Sequence, residues 1–359
     1  MGNVDPRPPE SLMPTSIHDL STPAVVIDAD ALDANLRTMA DLHPGAALRP
    51  HVKAHKCTAL AAAQRAVGHR GFTCATPREV LGMAAAGLGD DLLLANETVD
   101  RTRLAAMAAL HRDGRARITV AVDSEATVDA AARAGIAEVL VDVDIGLPRC
   151  GIAAQEAGAL ADRARRQGLV VRGVMGYEGH LMAMDDPDEQ AHRVAEAVER
   201  LLAAHADVGG DVVSSGGTGT HHLHRTRVAD PGTPHVTEVQ AGSYALMDSH
   251  YAAHGHGERF APACHVIGTV VSVGRRHAVA DVGLKAMGMD HGNPTTAAGA
   301  VWFLSDEHLT FAPSTPVSVG DRIAVVPAHI DPTMAMHEVA WVVRGDEVVD
   351  RWPIDLRGW

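Results

Sequence analysis

Two lysines close to two histidines form the part of this sequence best suited to covalent chemistry. Only three of the 31 lysine and arginine residues are lysines, and two of them, Lys53 and Lys56, share one short stretch with His51 and His55. A lysine amine can lose its proton when it is desolvated and then attack a carbonyl carbon, which an arginine guanidinium cannot do. The stretch predicts an amine nucleophile, although a compositional bias toward arginine would also leave a few lysines by chance.

If this stretch is a strand, the alternation of its side chains distinguishes the two lysines. Successive side chains of an extended strand point to opposite faces, so His51, Lys53 and His55 would share one face. Lys56 lies three positions after Lys53 and would point away. We therefore predict Lys53 as the nucleophile, and Lys56 as a residue at the start of the next helix or in solvent.

The pattern of apolar runs predicts an α/β fold. Short β-branched runs alternate with alanine-rich stretches of helical period, which is typical of parallel strands covered by helices. We predict a (β/α)8 TIM-type barrel over residues 25–250, preceded by an N-terminal segment at 1–24. Its eight strands would lie at about 47–53, 71–75, 91–95, 117–122, 138–143, 170–177, 211–215 and 237–242.

A different pattern begins near residue 250 and predicts a second domain. Apolar or alternating runs are separated there by Gly, Pro, Asp and Asn, which is typical of antiparallel strands and turns. We predict a C-terminal β domain over 251–359, which a first strand at about 22–28 could join. Its runs lie at 265–273, 277–282, 322–326 and 339–343.

Composition and charge exclude several kinds of partner. The length of 359 residues suggests two domains, or one barrel with an attachment. A net charge of -14 opposes binding to nucleic acid or to an anionic membrane surface. Residues 1–20 contain no apolar signal peptide and no later window is long enough for a membrane span, so we expect a soluble, cytoplasmic protein. Its four cysteines form no CxxC pair and are expected to be free thiols.

Two glycine-rich loops would lie at the same mouth of the barrel as Lys53. The loops at the carboxyl ends of barrel strands converge, and those after strands 7 and 8 commonly hold a phosphate. Here they are 214–220, Ser-Ser-Gly-Gly-Thr-Gly-Thr, and 240–244, Gln-Ala-Gly-Ser-Tyr. One such loop alone is more often a simple turn. Two of them facing a lysine predict a phosphate-bearing aldehyde cofactor, pyridoxal 5'-phosphate.

A histidine and an aspartate in the predicted β domain form a candidate metal pair. His329 and Asp331 are two positions apart, so on a strand they would share a face and could bind one divalent cation. The pattern is of low specificity in a chain with 22 histidines and is more often structural. The other histidines of this region, His250, His254, His256 and His291, are expected to lie at the surface or behind ligands rather than to bind metal.

Four segments in this order carry a resemblance to a known family. They are the Arg-Pro-His-Val-Lys-Ala-His-Lys stretch around Lys53, the Gly-Gly-Thr-Gly loop at 216–219, and the runs at 240–248 and 327–333. Together they resemble the D-threonine aldolase and D-serine dehydratase family, which are pyridoxal-phosphate enzymes of the alanine-racemase fold type (fold type III). The resemblance covers about residues 20–358, and it is the combination of segments that is specific.

The resemblance implies a role for each matching position. Lys53 matches the lysine that is joined to the cofactor, Arg149 the arginine near its phenolic oxygen, and Tyr177 the residue near its pyridine nitrogen. His329 and Asp331 match the metal pair. The phosphate-binding segments are matched by Gly217, Thr218, Gly219, Gly242, Ser243 and Tyr244.

The second residue of the metal pair favours one branch of this family. Dehydratases of the family typically have a cysteine there and a zinc site, whereas an aspartate resembles the aldolases. Oxygen ligands suit harder ions, so Asp331 favours an aldolase with Mn²⁺ or Mg²⁺, with Zn²⁺ as a further option. The chain departs from familiar aldolases at 74–76, where they have Cys-Gln, and at 177–180, where Tyr-Glu-Gly-His replaces a usual Tyr-His-Gly run.

The resemblance implies a carbon–carbon lyase that acts on a small molecule and forms a homodimer. The expected reaction is retro-aldol cleavage of a D-3-hydroxy amino acid, such as D-threonine, to glycine and an aldehyde. We expect His180 or a metal-bound water to take the proton of the 3-hydroxyl. The alternatives are a dehydratase that yields a keto acid and ammonia, a racemase, and a non-catalytic pyridoxal-phosphate carrier. A racemase would need a second base, and no tyrosine follows Tyr251 to supply it.

Overall fold

The structure, a computed structural model, describes residues 13–224, 226, 232–256 and 258–359, so residues 1–12 of the predicted N-terminal segment lie outside it. Its strands are β1 (Ala24–Asp28), β2 (Gly71–Cys74), β3 (Asp91–Leu94), β4 (Ile118–Val122), β5 (Glu138–Asp142), β6 (Val170–Met175), β7 (Val212–Ser215), β8 (Glu238–Val239), β9 (Cys264–Val273), β10 (Ala278–Ala280), β11 (Thr295–Thr296), β12 (Gly299–Leu304), β13 (Leu309–Pro313), β14 (Arg322–Val326), β15 (Val339–Arg344) and β16 (Glu347–Pro353). Its α-helices are α1 (Ala29–Leu42), α2 (Thr58–Ala66), α3 (Pro77–Ala85), α4 (Arg101–Arg112), α5 (Glu125–Ala134), α6 (Ala157–Arg166), α7 (Pro187–Val208), α8 (Ser249–Tyr251) and α9 (Ile330–Met336). None of the helices in these described ranges combines the length and the apolarity that crossing a membrane requires.

A seven-stranded parallel sheet forms the first domain, in the order β2-β3-β4-β5-β6-β7-β8. Seven of the eight predicted barrel runs are therefore strands. Alternate residues of each strand face opposite ways. In β3, Leu92 and Leu94 pack under the surrounding helices, while Leu93 belongs to a small cluster with Ala121 and Leu140 of the next strands. The predicted alternation of strands and helices is confirmed.

The first predicted barrel strand, at 47–53, is wrong as a regular strand. Leu48 forms a parallel bridge to Val239 of β8 and His51 forms one to Thr73 of β2, so the segment links the two edges of the sheet by single bridges. The chain turns as a 3-10 helix directly before this link and again directly after it, at Gly45–Ala47 and Val52–Ala54. Lys53 therefore lies on a turn at the mouth of the sheet.

Buried ion pairs fill the opposite end of the sheet interior. Asp91, the first residue of β3, accepts hydrogen bonds from Arg49 at 2.8 Å and from Arg172 at 2.9 Å. Arg49 also donates to Glu238, the first residue of β8, at 2.7 Å. Both guanidinium groups are buried, and each has a carboxylate partner, which is the condition under which buried charge is tolerated.

Local sequence fixes where the helices begin. Before α3, the Thr76 hydroxyl accepts a hydrogen bond from the backbone N–H of Glu79, and the Glu79 carboxylate accepts one from the backbone N–H of Thr76. Pro77 occupies the first helical position, where its missing N–H costs no hydrogen bond. This reciprocal cap buries the Glu79 carboxylate next to the turn that carries Lys56.

The second domain is a nine-stranded sheet in the order β10-β13-β12-β11-β14-β9-β1-β15-β16, in which β10 also pairs with β9. This extra pairing closes six of the strands into a barrel and leaves β1, β15 and β16 as an extension. The predicted runs at 265–273, 277–282, 322–326 and 339–343 are strands, and four further strands were not predicted. Strand β1 pairs with β9 and β15, so the chain forms part of this sheet before it forms the parallel one.

One hydrophobic core joins the two domains. Leu48 and Tyr244 from the parallel domain share a buried cluster with Phe260, Val266 and Phe311. Close packing at this junction holds the mouth of the parallel sheet against one edge of the β domain. A cavity between the two is therefore built from both domains.

Candidate active site

One cavity of about 680 Å³ collects most of the predicted site residues. It lies at the carboxyl ends of the parallel strands and is closed on one side by residues of the β domain. Two of the twelve predicted residues, Gly219 and Tyr244, do not line it. The other ten do: Lys53, Arg149, Tyr177, His180, Gly217, Thr218, Gly242, Ser243, His329 and Asp331.

The Lys53 amine lies in this cavity without an acidic partner. Its Nζ is 5.5 Å from the centroid of the Tyr177 ring. In the described ranges, the Lys56 amine pairs with Glu79 and the Lys285 amine with Glu307, whereas no carboxylate pairs with Lys53. A lysine that is partly buried and free of a counter-ion is the form that suits attack on an aldehyde.

The turn that carries Lys53 is held by two buried histidines. The backbone N–H of Lys53 donates to His51 Nδ1 at 3.4 Å, and the backbone N–H of Cys57 donates to His55 Nδ1 at 3.1 Å. Burial, with the nearby Lys53 and Lys56 ammonium groups, lowers the pKa of His51 well below its usual value. Burial likewise lowers the pKa of His55 to about 4. Both rings are therefore neutral at pH 7.

Lys56 is held away from the cavity by a buried carboxylate. Of the two positions predicted for it, the start of the next helix agrees with the structure, since α2 begins at Thr58, and the solvent position was wrong. Its backbone has a φ of +49°, a conformation that side-chain-bearing residues rarely adopt. Its amine forms an ion pair with Glu79, which is fully buried. This turn, and not strand alternation, sends the two amines in different directions.

Tyr177 lies between two cations. Its ring is flanked by Lys53 and by the guanidinium of Arg149, whose Cζ is 5.4 Å from the ring centroid. Burial raises the pKa of the Tyr177 hydroxyl, so the phenol is uncharged at pH 7. Gly179 and Gly217 give the ring room, because a Cβ at either position would lie within 3.3 Å of ring atoms.

His180 lies on the cavity wall with an exposed side chain. It belongs to the 3-10 turn Gly179–Leu181, which follows β6. Its ring approaches Gly146, where a Cβ would lie 3.1 Å from Cε1. No hydrogen bond orients the ring within the described ranges, so it is placed to meet a substrate but is not preset.

The two glycine-rich loops present backbone N–H groups. Gly217 donates to the Thr220 hydroxyl at 3.2 Å, and Tyr244 donates to the Thr218 hydroxyl at 3.0 Å, so these two groups are already used. The N–H groups of four other loop residues have no acceptor among the described residues. They belong to Thr218, Gly219, Gly242 and Ser243.

The two predicted residues outside the cavity support the loops from behind. The Tyr244 side chain is fully buried, and its hydroxyl accepts a hydrogen bond from Gln64 Nε2 at 3.2 Å. Gly219 packs on the backbone of Met182, where a Cβ would lie 2.1 Å from the carbonyl oxygen. Of their two backbone N–H groups, only that of Gly219 has no acceptor among the described residues, because Tyr244 donates to Thr218.

His329 lies at the start of α9 and not on a strand, so the expected shared face of His329 and Asp331 is wrong. Its Nδ1 is 2.7 Å from Asp290 Oδ2, and its ring stacks on His291 with centroids 3.9 Å apart. Candidate ligand atoms of Asp290, His291 and His329 all lie within 4.8 Å of one another. Asp331 also lines the cavity and accepts a hydrogen bond from the Ser243 hydroxyl at 3.3 Å.

Asp290 was not among the predicted site residues, and His291 was not expected to bind metal. The two residues precede His329 by almost forty positions, on a segment whose only local signal is an Asp-His pair. An antiparallel bridge between Gly288 and His329 brings them together. Long-range contacts of this kind leave no pattern in a single sequence.

The residues present fit both expected groups. The partner-free amine of Lys53, and the loop N–H groups that have no acceptor among the described residues, match an aldehyde and a phosphate. Two imidazoles beside carboxylates match a divalent transition metal, and are softer than the all-oxygen sets that suit Mg²⁺. The donor set therefore shifts the expected metal away from Mg²⁺.

Comparison with known proteins agrees with this geometry. The family described as alanine racemase, N-terminal domain, matches residues 27–250, and the putative serine dehydratase domain matches residues 263–343. A D-threonine aldolase from an Arthrobacter species is 35% identical, with 98% of this chain and 96% of the relative covered. A 3-hydroxy-D-aspartate aldolase from Paracoccus denitrificans is 30% identical, with 95% and 93% covered.

A solved structure shows the same arrangement of the two domains. The crystal structure of D-threonine aldolase from Filomicrobium marinum superposes with a TM-score of 0.87 at 34% identity, and covers 96% of this chain and 98% of that one. At this coverage the similarity extends over both domains. The chain therefore belongs to the family of pyridoxal-phosphate-dependent enzymes of the alanine-racemase fold that includes D-threonine aldolase, and it is a lyase.

Proposed function

We propose that the protein cleaves D-3-hydroxy amino acids, with D-threonine as the representative substrate, to glycine and an aldehyde. One observation carries the proposal: the partner-free Lys53 amine lines the same cavity as the metal-competent group around His329. Retro-aldol cleavage needs an amine-reactive cofactor at Cα and a means of deprotonating the 3-hydroxyl. A single cavity offers residues for both.

Lys53 would hold the aldehyde of the cofactor, and the N–H groups of the two glycine-rich loops would hold its phosphate. Bound pyridoxal phosphate supplies a ring that accepts the electrons of the broken Cα–Cβ bond. Arg149 and the uncharged Tyr177 line the same cavity, and both Arg149 and Lys53 lie close to the Tyr177 ring. A neutral phenol near the pyridine nitrogen of the cofactor would stabilise less positive charge there than a carboxylate would.

The group around His329 would hold the divalent metal. Such a cation lowers the pKa of an alcohol that binds to it. His329 and Asp331 remain our proposed ligands, and Asp290 and His291 are added because their side chains lie beside His329. His180 is the proposed base for the 3-hydroxyl, since its exposed imidazole lines the cavity on the side of the parallel domain.

A dehydratase is the second candidate. It is favoured by the match of the C-terminal domain to the putative serine dehydratase domain and by the imidazole content of the metal group, which suits Zn²⁺. In that reaction Lys53 would take the Cα proton and the hydroxyl would leave. Asp331 in place of a cysteine keeps the aldolase as our first choice.

Incubation with D-threonine separates the two reactions. The aldolase releases acetaldehyde and glycine, whereas the dehydratase releases 2-oxobutanoate and ammonia. We expect a chelator to abolish acetaldehyde release while the absorbance of bound cofactor remains, and added Mn²⁺ to restore release. L-threonine is the matched control. Undiminished turnover after metal removal would refute the metal role, and 2-oxobutanoate as the main product would refute the aldolase.

We also propose a homodimer. Trp302 and Phe303 of β12 are both about half exposed, at 45% and 54%, and such apolar side chains on a β-domain strand suit a subunit contact. Light scattering would report a mass near twice 37.7 kDa.

A further inference from the structure

The residue after Tyr177 is a fully buried glutamate whose carboxylate organises the first glycine-rich loop. Both oxygens of Glu178 are used: Oε2 accepts from the Ser215 hydroxyl at 3.0 Å and from the backbone N–H of Gly216 at 3.3 Å. Oε1 accepts from the Thr220 hydroxyl at 2.6 Å and lies 2.7 Å from His224 Nε2. Four donors on one buried carboxylate are enough to fix the chain on both sides of the loop.

This arrangement decides which loop N–H groups are already hydrogen-bonded. Gly216 donates directly to Glu178, and Gly217 donates to the Thr220 hydroxyl, which is itself bound to Glu178. The next two N–H groups, of Thr218 and Gly219, have no acceptor in the described ranges. Glu178 thus uses the N–H of Gly216 directly and that of Gly217 through Thr220. The N–H groups of Thr218 and Gly219 are left for an anion.

The Glu178 carboxylate lies against the buried imidazole of His224. Burial alone would raise the pKa of Glu178, but His224 and the hydrogen bonds from His224 and Thr220 lower it to about 2. Gly216 has a φ of +82°, and a Cβ there would lie 2.8 Å from His224 Cδ2, so only glycine allows this close approach. The Glu178 carboxylate and the His224 ring are both fully buried, so their contact is shielded from solvent.

Glu178 is also where the chain departs from the usual Tyr-His-Gly run of the aldolases. The sequence gives no sign that this residue is buried, since an acidic side chain after a strand is more often solvated. We propose that Glu178 is a positioning residue that sets the affinity of the site for the cofactor phosphate by presenting the N–H groups of Thr218 and Gly219. This inference rests on the proposed function, since it takes pyridoxal phosphate as the ligand.

The test compares two ligands that differ only in the phosphate. The purified holoenzyme is stripped of cofactor and titrated with pyridoxal phosphate and with pyridoxal, and the absorbance of the lysine adduct gives each dissociation constant. Two variants are used: Glu178→Gln, and Thr220→Val, which leaves the contact between Glu178 and His224 but removes the link to Gly217. Glu199→Gln is the matched control, because it removes the same charge from an exposed position on α7.

We expect both variants to weaken pyridoxal phosphate by about tenfold or more, since a hydrogen bond to a charged group is worth about that factor. Pyridoxal should change less than twofold, and Glu199→Gln should change neither. A merely structural role would weaken both ligands by the same factor. That result, or a change below threefold for pyridoxal phosphate in both variants, would overturn the inference. Wild-type protein that forms no adduct with either ligand would instead overturn the proposed function, and the inference with it.

Discussion

The buried carboxylate of Asp91 should make the parallel domain sensitive to acid. Burial alone would raise the pKa of Asp91, but the guanidinium groups of Arg49 and Arg172 lower it from 3.8 to about 2. Each pKa unit corresponds to about 1.4 kcal/mol, so the pairing contributes about 2 kcal/mol to the free energy of unfolding. The Asp91 side chain is 21% exposed, and solvent therefore screens this contribution only in part.

The sign follows from the lowered pKa. The folded protein keeps Asp91 ionised to lower pH than the unfolded chain does, so the stabilisation is fully present above the unfolded pKa of 3.8 and is lost as the pH falls through about 2. Asp91→Asn should cost about 3 kcal/mol near pH 6, because it leaves two buried guanidinium groups short of a partner. The difference between wild type and variant should then shrink by about 2 kcal/mol between pH 5 and pH 2.

Urea unfolding at a series of pH values, with matched cofactor content, measures this difference. The neighbouring Asp90 offers the control, because it pairs with Arg65 and Arg70 at the surface, where an ion pair is worth at most about 1 kcal/mol. Asp90→Asn should therefore have a small effect. A gap between wild type and Asp91→Asn that stays constant from pH 6 to pH 2, or an equal pH dependence for Asp90→Asn, would refute the reasoning.

Two further predictions concern the site itself. Lys53→Arg should keep the positive charge but abolish both the cofactor adduct band and aldehyde release, whereas Lys56→Arg should keep the band; an adduct band that survives in Lys53→Arg would exclude this lysine. Asp331→Asn and Asp290→Asn test the two carboxylates near His329. Substitution of a carboxylate that binds the metal should raise the Mn²⁺ concentration needed for half-maximal activity by about tenfold or more. Metal titration of both variants decides between the two.

The comparison of sequence and structure is clearest at the lysines. Two rare lysines close to His51 and His55 indicated a candidate nucleophile, because the chemistry of an amine is a property of residue type. The reason for preferring Lys53 over Lys56 depended on an extended strand, and the chain forms a 3-10 turn there instead. The buried Glu79, contributed by the cap of another helix, is what removes Lys56 from the cavity.

The residues around His329 show the same difference between what a local pattern indicates and what distant contacts decide. His329 and Asp331 were identified from a local pattern and both line the cavity, but the carboxylate beside His329 is Asp290. His329 and Asp331 do not share a strand face as their spacing predicted, because this segment begins a helix and is not a strand. Asp290 and His291 reach the site through pairing between distant segments, and no local feature of the chain records that pairing.

By itself, the sequence determined the alternation of strands and helices, the order of the two domains, and the presence of residue types suited to binding an aldehyde and a phosphate. These depend on local periodicity and on intrinsic chemistry. The tertiary structure decided which amine is left without a counter-ion, which loop N–H groups remain free, and which carboxylates lie beside His329. Those properties depend on burial and on contacts between residues far apart in the chain, and such contacts exist only once the two domains pack together.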